Sequence, residues 1–287
     1  MGDAAGKVAV MSVKRIGTEP GPEMRSAAPG HKAFDRNVPH IARMYDYWLG
    51  GKDNYAVDRT VADQIAAIFP DILVGVRAQR AFLGRVVRYL AAEAGIWQFL
   101  DIGTGLPSAD NTHEVAQRIV PQSRVVYVDN SPVVLAHARA LLGSGPQGAT
   151  AFIQADLRDT GRILAEAARI LDLSQPVAVL LLGVLPFIPD DDDPATIVAR
   201  LMAAAPPGSY LAVAHPASDI AAEQMARTVR RFNLQARDPV TVRTYDEVAR
   251  FFDGLDLVEP GLVQLHRWRA ESDGLELPNY GGVGRKP

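Results

Sequence analysis

Phe99-Leu100-Asp101-Ile102-Gly103-Thr104-Gly105-Leu106-Pro107-Ser108 decides how this chain folds. An apolar run ends in an acid and opens into a glycine turn. Val125-Val126-Tyr127-Val128-Asp129 follows, a second apolar run closed by a second acid. In α/β sheets this pairing holds a nucleoside, because glycines let the backbone approach the ligand and the second acid accepts the ribose hydroxyls. Further on, Gln154-Ala155-Asp156-Leu157 closes a third run. Three acids ending three successive strands fall at the carboxyl edge of the sheet, where ligands bind in such folds.

The turn fits some nucleosides better than others. A dinucleotide fingerprint needs a third small residue that seats a helix N-terminus directly on a pyrophosphate. Here Ser108 stands at that place, the helix starts late, near Asn111-Thr112, and Asp110 would repel phosphate. A cofactor without phosphate suits the loop better. Asp129 would hold the ribose, Asp156 would accept from an adenine amino group, and the Leu157 N–H would meet a ring nitrogen. Gly103 and Gly105 would admit an amino-acid chain whose amino group Asp101 helps to position. Thr104, Asn130 and Gly183 complete this cofactor-binding set. Adenosine carrying an amino acid is S-adenosylmethionine.

Outward from the turn, short β-branched runs at 97–102, 124–129, 150–155, 177–182 and 209–214 alternate with helical patterns. Such alternation predicts an α/β fold with a parallel sheet and helices on both faces. Ser131-Pro132 and Asp193-Pro194 open helices with a capping side chain and proline at the first position, and Thr244-Tyr245-Asp246-Glu247 is a capping box ended by Gly254. The runs 257–268 and 280–284 read as two last strands. Upstream, Ile41, Met44, Tyr45, Trp48 and Leu49 form one apolar stripe that Gly50-Gly51 terminates. Two more helices are expected near 57–69 and 74–94. The expected organisation is a mobile tail over 1–33, a helical cap over 34–95, and a Rossmann-like domain over 96–287.

Composition sets limits. The chain has 287 residues, formal charge −3 and no cysteine. That charge gives no basic field for nucleic acid, and without cysteine there are no disulfides, thiol nucleophiles or Cys-based metal sites. No run approaches the ~20 apolar residues of a membrane helix. A soluble, cytoplasmic protein is expected.

The segments 37–54, 99–114, 125–142 and 180–194 resemble a family of S-adenosylmethionine-dependent methyltransferase-like proteins, formerly catalogued as a domain of unknown function. Its most specific blocks are Ala42-Arg43-Met44-Tyr45-Asp46-Tyr47-Trp48-Leu49-Gly50-Gly51-Lys52-Asp53 and Asp101-Ile102-Gly103-Thr104-Gly105-Leu106-Pro107. The resemblance implies a class I methyltransferase sheet of seven strands, mostly parallel with the last antiparallel, and N-terminal helices that cap the cofactor. It names no methyl acceptor. Similar proteins often carry His after the fourth strand, where this chain has Pro186.

Methyl transfer from a sulfonium is an in-line displacement in which alignment supplies much of the rate, and a base matters only if the acceptor must lose a proton. His215, at the end of the fifth strand, is the leading base candidate. Tyr47, outside the apolar stripe, is the second. Lys52, Asp53 and Asn54 read as a polar lid that contacts cofactor or substrate. Arg77 and Arg80 share a helix face and could hold an acidic acceptor. The acidic run 190–193 reads as a helix cap, and His31, His40, His113, His137 and His266 show no metal-ligand spacing. The expected function is methyl transfer to a small molecule, with no metal, nucleic acid or membrane partner. A sensor that binds S-adenosylmethionine or its demethylated product without transfer is the alternative, and a nicotinamide-dependent oxidoreductase comes third.

Overall fold

In this computed structural model the described residues are 36–270 and 276–287; the expected tail over 1–33, with His31, lies outside them. Helices α1 (Ile41–Trp48), α2 (Ala56–Ile68) and α3 (Ile72–Ala92) come first. β1 (Gln98–Ile102), α4 (Thr112–Ile119), β2 (Arg124–Asp129), α5 (Pro132–Leu141) and β3 (Ala149–Gln154) then alternate. The alternation continues through α6 (Thr160–Ala167), β4 (Ala178–Leu182), α7 (Pro194–Ala204) and β5 (Tyr210–Pro216). α8 (Ala222–Asn233) and α9 (Tyr245–Ala249) precede the short β6 (Asp256–Leu257) and β7 (Val263–Gln264), and β8 (Asn279–Arg285) ends the sheet.

The strand order is β3-β2-β1-β4-β5-β8-β6, with β7 pairing β8. β1 to β5 pair in parallel, and β8 inserts antiparallel between β5 and β6. Side chains alternate across the strands, so one sheet builds two cores. Leu100, Val126, Val179 and Val213 face Ile163 of α6 and Val198 and Leu201 of α7. Phe99, Val125, Leu180 and Ala212 face Phe82, Val86 and Leu90 of α3. The order turns back between β1 and β4, so the carboxyl ends of β1, β2 and β4 open onto one crevice.

One expected strand is broken. The run 257–268 is not one continuous strand: β6 and β7 have two residues each, and between them lie Pro260, which has no N–H for a ladder, and Gly261 at φ 88°. The sheet therefore has eight strands among the described residues where seven were expected. Helices α6 and α8 went unread in the sequence. α8 begins after Ala221 at φ 47° without a capping side chain, so no cap marks its start. No helix among the described residues is long and apolar enough to cross a membrane.

The N-terminal helices have a core of their own. Met44 and Trp48 of α1 pack with Val61 and Ile65 of α2, Val76 of α3 and Phe232 of α8. Beneath it lies a buried ion pair, Arg43 Nε to Asp58 Oδ2 at 2.7 Å. The same carboxylate accepts from the amides of His40 (2.9 Å) and Tyr55 (2.8 Å), which fixes the starts of α1 and α2 together. Truncating one member of such a pair strands the other charge in the interior. Asp58→Ala should therefore lower unfolding free energy by about 3–5 kcal/mol, read as a shift of the urea midpoint.

Candidate cofactor site

The glycine turn leaves β1 with Gly103 at φ 77° and Gly105 at φ 66°, both in the left-handed region that favours glycine. They serve different purposes. A Cβ on Gly103 would run into Val184, so this glycine lets the ends of β1 and β4 close up. Around Gly105 there is open space within 4 Å, the side from which a ligand can approach. α4 starts only at Thr112, with Asn111 and Glu114 forming a capping box.

Two carboxylates flank the turn, both buried. Asp129 Oδ2 accepts from the Gly105 N–H (3.1 Å) and Oδ1 from the Ser131 N–H (2.8 Å). Each oxygen keeps a lone pair, so one carboxylate edge still offers two acceptors. Asp101 Oδ2 accepts from Thr112 Oγ1 at 2.6 Å. Burial pushes Asp101 up to about 6, against the Thr112 hydrogen bond and the Arg80 charge. It pushes Asp129 up to about 6 as well, against its two amide donors. A ligand that brings a cation and hydroxyl donors relieves this penalty.

At the end of β3, Asp156 is half-exposed and Arg158 holds it. Arg158 Nη1 donates to both carboxylate oxygens (3.0 Å each), and Nε reaches Asp192 at 2.6 Å. The Leu157 side chain is buried, and its N–H has no hydrogen-bond acceptor among the described residues. Asn130 is exposed beside Asp129. At Gly183, after β4, Gln79 of α3 donates from Nε2 to the Leu182 carbonyl (2.8 Å). The acidic run divides its work. Asp193 caps α7 through Thr196 N (3.1 Å), Asp190 pairs with Arg243 (2.7 Å), and Asp192 pairs with Arg158.

The two candidate bases are both engaged. His215 is 1% exposed. Its Nδ1 lies 2.9 Å from the Pro216 carbonyl, and its Nε2 lies 2.9 Å from Arg243 Nη1. A carbonyl only accepts and a guanidinium only donates, so the ring is neutral with the proton on Nδ1. The Nε2 lone pair is taken by Arg243 and is not available for an acceptor proton. Burial brings this imidazole down to about 3, with Arg243 adding to the shift. Tyr47 donates its phenol to Asp63 of α2 (3.0 Å), and that hydrogen bond raises its pKa. Pro186 is buried in a 3-10 turn after β4.

The polar lid folds on itself first. Asp46 accepts from the Asp53 amide (2.9 Å) and Asn54 Nδ2 (2.8 Å), while Lys52 stays exposed. Asp53 also reaches His137 of α5 at 3.4 Å, which ties the cap to the helix that follows Asp129. Arg77 and Arg80 do not act together. Arg80 donates to the carbonyls of Ala109 and Asp110 (2.9 Å each) and so braces the glycine loop, whereas Arg77 stays exposed. Among the described residues no three His, Asp or Glu converge as metal ligands.

A family model described as S-adenosyl methyltransferase matches residues 27–287. The chain belongs to the S-adenosyl methyltransferase family. Among solved structures it is similar to a DUF574 family protein from Streptomyces avermitilis MA-4680, at 44% identity, 88% of this chain, 99% of that one and TM-score 0.85. A candidate methyltransferase from Thermobifida fusca YX is 39% identical over 87% of this chain and 96% of that one, with TM-score 0.81. The plantazolicin methyltransferase BpumL, solved with S-adenosylhomocysteine, shares the fold at 10% identity, 86% and 95% coverage, and TM-score 0.50. A search of curated proteins finds no match.

The cofactor of an S-adenosyl methyltransferase fits the residues present. Asp129 has two lone pairs for vicinal hydroxyls, Asp101 is a desolvated anion suited to an ammonium, and the space around Gly105 is open. Sequence reading gave Arg80 to the acceptor, where the structure sets it on the loop carbonyls, and it missed the Thr112 contact with Asp101 and the roles of Arg158 and Arg243. Two outcomes follow from the carboxylates and the histidine. With both acids raised above their unfolded value of 3.8, their contribution to cofactor-free stability is full below pH ~4 and is lost as pH rises through about 6. Asp101→Asn keeps the Thr112 hydrogen bond and removes the charge, so it should stabilise the cofactor-free protein at pH 7.5 by about 1–3 kcal/mol, measured by denaturant unfolding. The His215 ring should stay neutral and Nδ1-protonated from pH 8 down to 5 in nitrogen-15 NMR; titration near 6.5 would contradict the Arg243 contact.

Proposed function

We propose that this S-adenosyl methyltransferase transfers a methyl group to a small-molecule acceptor in the cytoplasm, with the acceptor held between the strand ends and the N-terminal helices. The observation that carries the reading is the pair of buried carboxylates, Asp101 and Asp129, on either side of Gly105. When bound, S-adenosylmethionine supplies an electrophilic methyl on a positively charged sulfur. Asp129 binds the ribose through its two remaining lone pairs, and Asp101 faces the amino-acid ammonium, directly or through water. Asp156 and the Leu157 N–H take the adenine edge, with Arg158 fixing the Asp156 carboxylate. Thr104, Asn130 and Gly183 line the remaining edge. Lys52, Asp53 and Asn54, docked on α5 through His137, limit water at the mouth.

Neither His215 nor Tyr47 acts as a base in this reading, because each is held by a stronger partner. Alignment then supplies the rate, and the favoured acceptors attack with a lone pair already available, as an amine does. The engaged His215 is also the observation that favours binding without transfer. Calorimetry with both cofactor forms, followed by a methyl-transfer screen over amines, phenols and carboxylates, separates the two: tight binding with no turnover on any class selects the sensor.

The pH dependence of binding tests the site itself. Both carboxylates are ionised at pH 7.5 and protonate below about 6, so the affinity for S-adenosylhomocysteine should hold from pH 8 to 7 and fall below 6. Asp129→Ala should weaken binding by about 1–3 kcal/mol at pH 7.5 and flatten that profile. Calorimetry from pH 5 to 8 reads both, and an unchanged affinity would place the ribose elsewhere.

A further inference from the structure

Two neighbouring residues of α3 straddle the crevice where the strand order turns back between β1 and β4. Gln79 donates from Nε2 to the Leu182 carbonyl (2.8 Å), and a Cβ on Gly183 would meet that amide at 2.6 Å. The register that sets Asp101 opposite Leu180 leaves Leu182 level with the glycine turn. Arg80 reaches the other bank, where its Nη2 donates to the carbonyls of Ala109 and Asp110 (2.9 Å each). One stretch of helix therefore ties the end of β4 to the loop that follows β1.

Neither side chain is used up by this work. A carbonyl only accepts, so the Gln79 amide must turn Nε2 to Leu182 and leave Oε1 pointing away from it. That oxygen accepts no hydrogen bond among the described residues and is open to solvent. A guanidinium carries five N–H groups, of which Nη2 supplies two, so Nε and Nη1 of Arg80 still hold three. No carboxylate pairs with Arg80 among the described residues, whereas Arg118, also at this loop, is spent on Asp110 at 2.5 Å. The Arg80 charge nevertheless acts on the buried Asp101 carboxylate. A cation with free donors and a carbonyl oxygen with free lone pairs thus stand on opposite banks of the crevice, with Asp101 at the end of β1.

Such a set is complementary to a zwitterion. The amino-acid end of S-adenosylmethionine carries an ammonium and a carboxylate on one carbon. The two buried acids, Asp101 and Asp129, would repel that carboxylate, so it needs a cation with donors to spare. Resting on the cofactor reading above, we propose that Arg80 and Gln79 receive this end of the cofactor: Nε and Nη1 of Arg80 donate to the carboxylate, and Gln79 Oε1 accepts from the ammonium beside Asp101. Hydrogen bonds in which one partner is ionised are the strong ones. Asp129 holds the ribose on the other side of the sulfur. The sulfonium is then fixed at both ends, and its methyl keeps one direction for in-line attack.

The probes are S-adenosylhomocysteine, its decarboxylated and deaminated analogues, and methylthioadenosine, which lacks the amino acid. Calorimetry on the full chain should show S-adenosylhomocysteine binding about tenfold or more tighter than either analogue. Arg80→Gln should weaken S-adenosylhomocysteine by a similar factor and leave the decarboxylated analogue as the parent binds it. Gln79→Leu should weaken every probe that carries the ammonium and spare the deaminated analogue. Methylthioadenosine should bind both variants within about twofold of the parent, since its contacts lie at Asp129. An equal loss for methylthioadenosine would make the two residues braces of the loop and overturn the proposal. Variants that keep the full preference for S-adenosylhomocysteine over its analogues would overturn it too. A parent that binds none of the four would overturn the cofactor reading, and the proposal with it.

Discussion

The hydrogen bonds from the Gly105 and Ser131 amides to Asp129 pin the glycine turn to the end of β2, and the site depends on that attachment. They settle which face of the carboxylate points outward, and they hold Gly105 in its left-handed conformation against open space. On the other side, Thr112 at the start of α4 fixes Asp101, so the length of the loop between Gly105 and α4 is set by where that hydroxyl must stand. Arg80 closes the arrangement from α3 by gripping the carbonyls of Ala109 and Asp110. Burying two acids side by side is unfavourable for the empty protein, and it preorganises the site for a cation with hydroxyl groups.

Helices α1 and α2 join this arrangement by packing on α3 and α8. Their apolar side belongs to a separate core with Phe232 of α8, and the buried Arg43–Asp58 pair sets the angle between α1 and α2. The loop after α1 then reaches across to α5 through Asp53 and His137.

Much of this was legible in the chain. The five parallel strands announce themselves because each apolar run closes in a turn or an acid, and Ser131-Pro132 and Thr244 open their helices as the capping pattern says. The late start of α4 at Thr112 follows from the same local chemistry. Long-range polar partners were not legible. Arg243 sits in Val242-Arg243-Thr244 with nothing local to mark it, and its partners Leu185, Ile188, Asp190 and His215 are brought to it only by the sheet. For the same reason His215 looked like a base: its place at a strand end was readable, and the cation occupying its lone pair was not. The break between β6 and β7 escaped because a proline and a glycine in an otherwise apolar run can be absorbed or can bend the chain, and periodicity alone does not choose.

Arg243 has a wider implication. One buried guanidinium donates to two carbonyls of the loop after β4, to a carboxylate further along that loop, and to the imidazole at the end of β5. The loop after β4 and the end of β5 therefore share a single anchor. Changes in them cannot be independent: a substitution that loosens one frees donors that the other must then satisfy or leave buried. Divergence of either segment would have to proceed by paired changes in both, or by replacing the anchor itself.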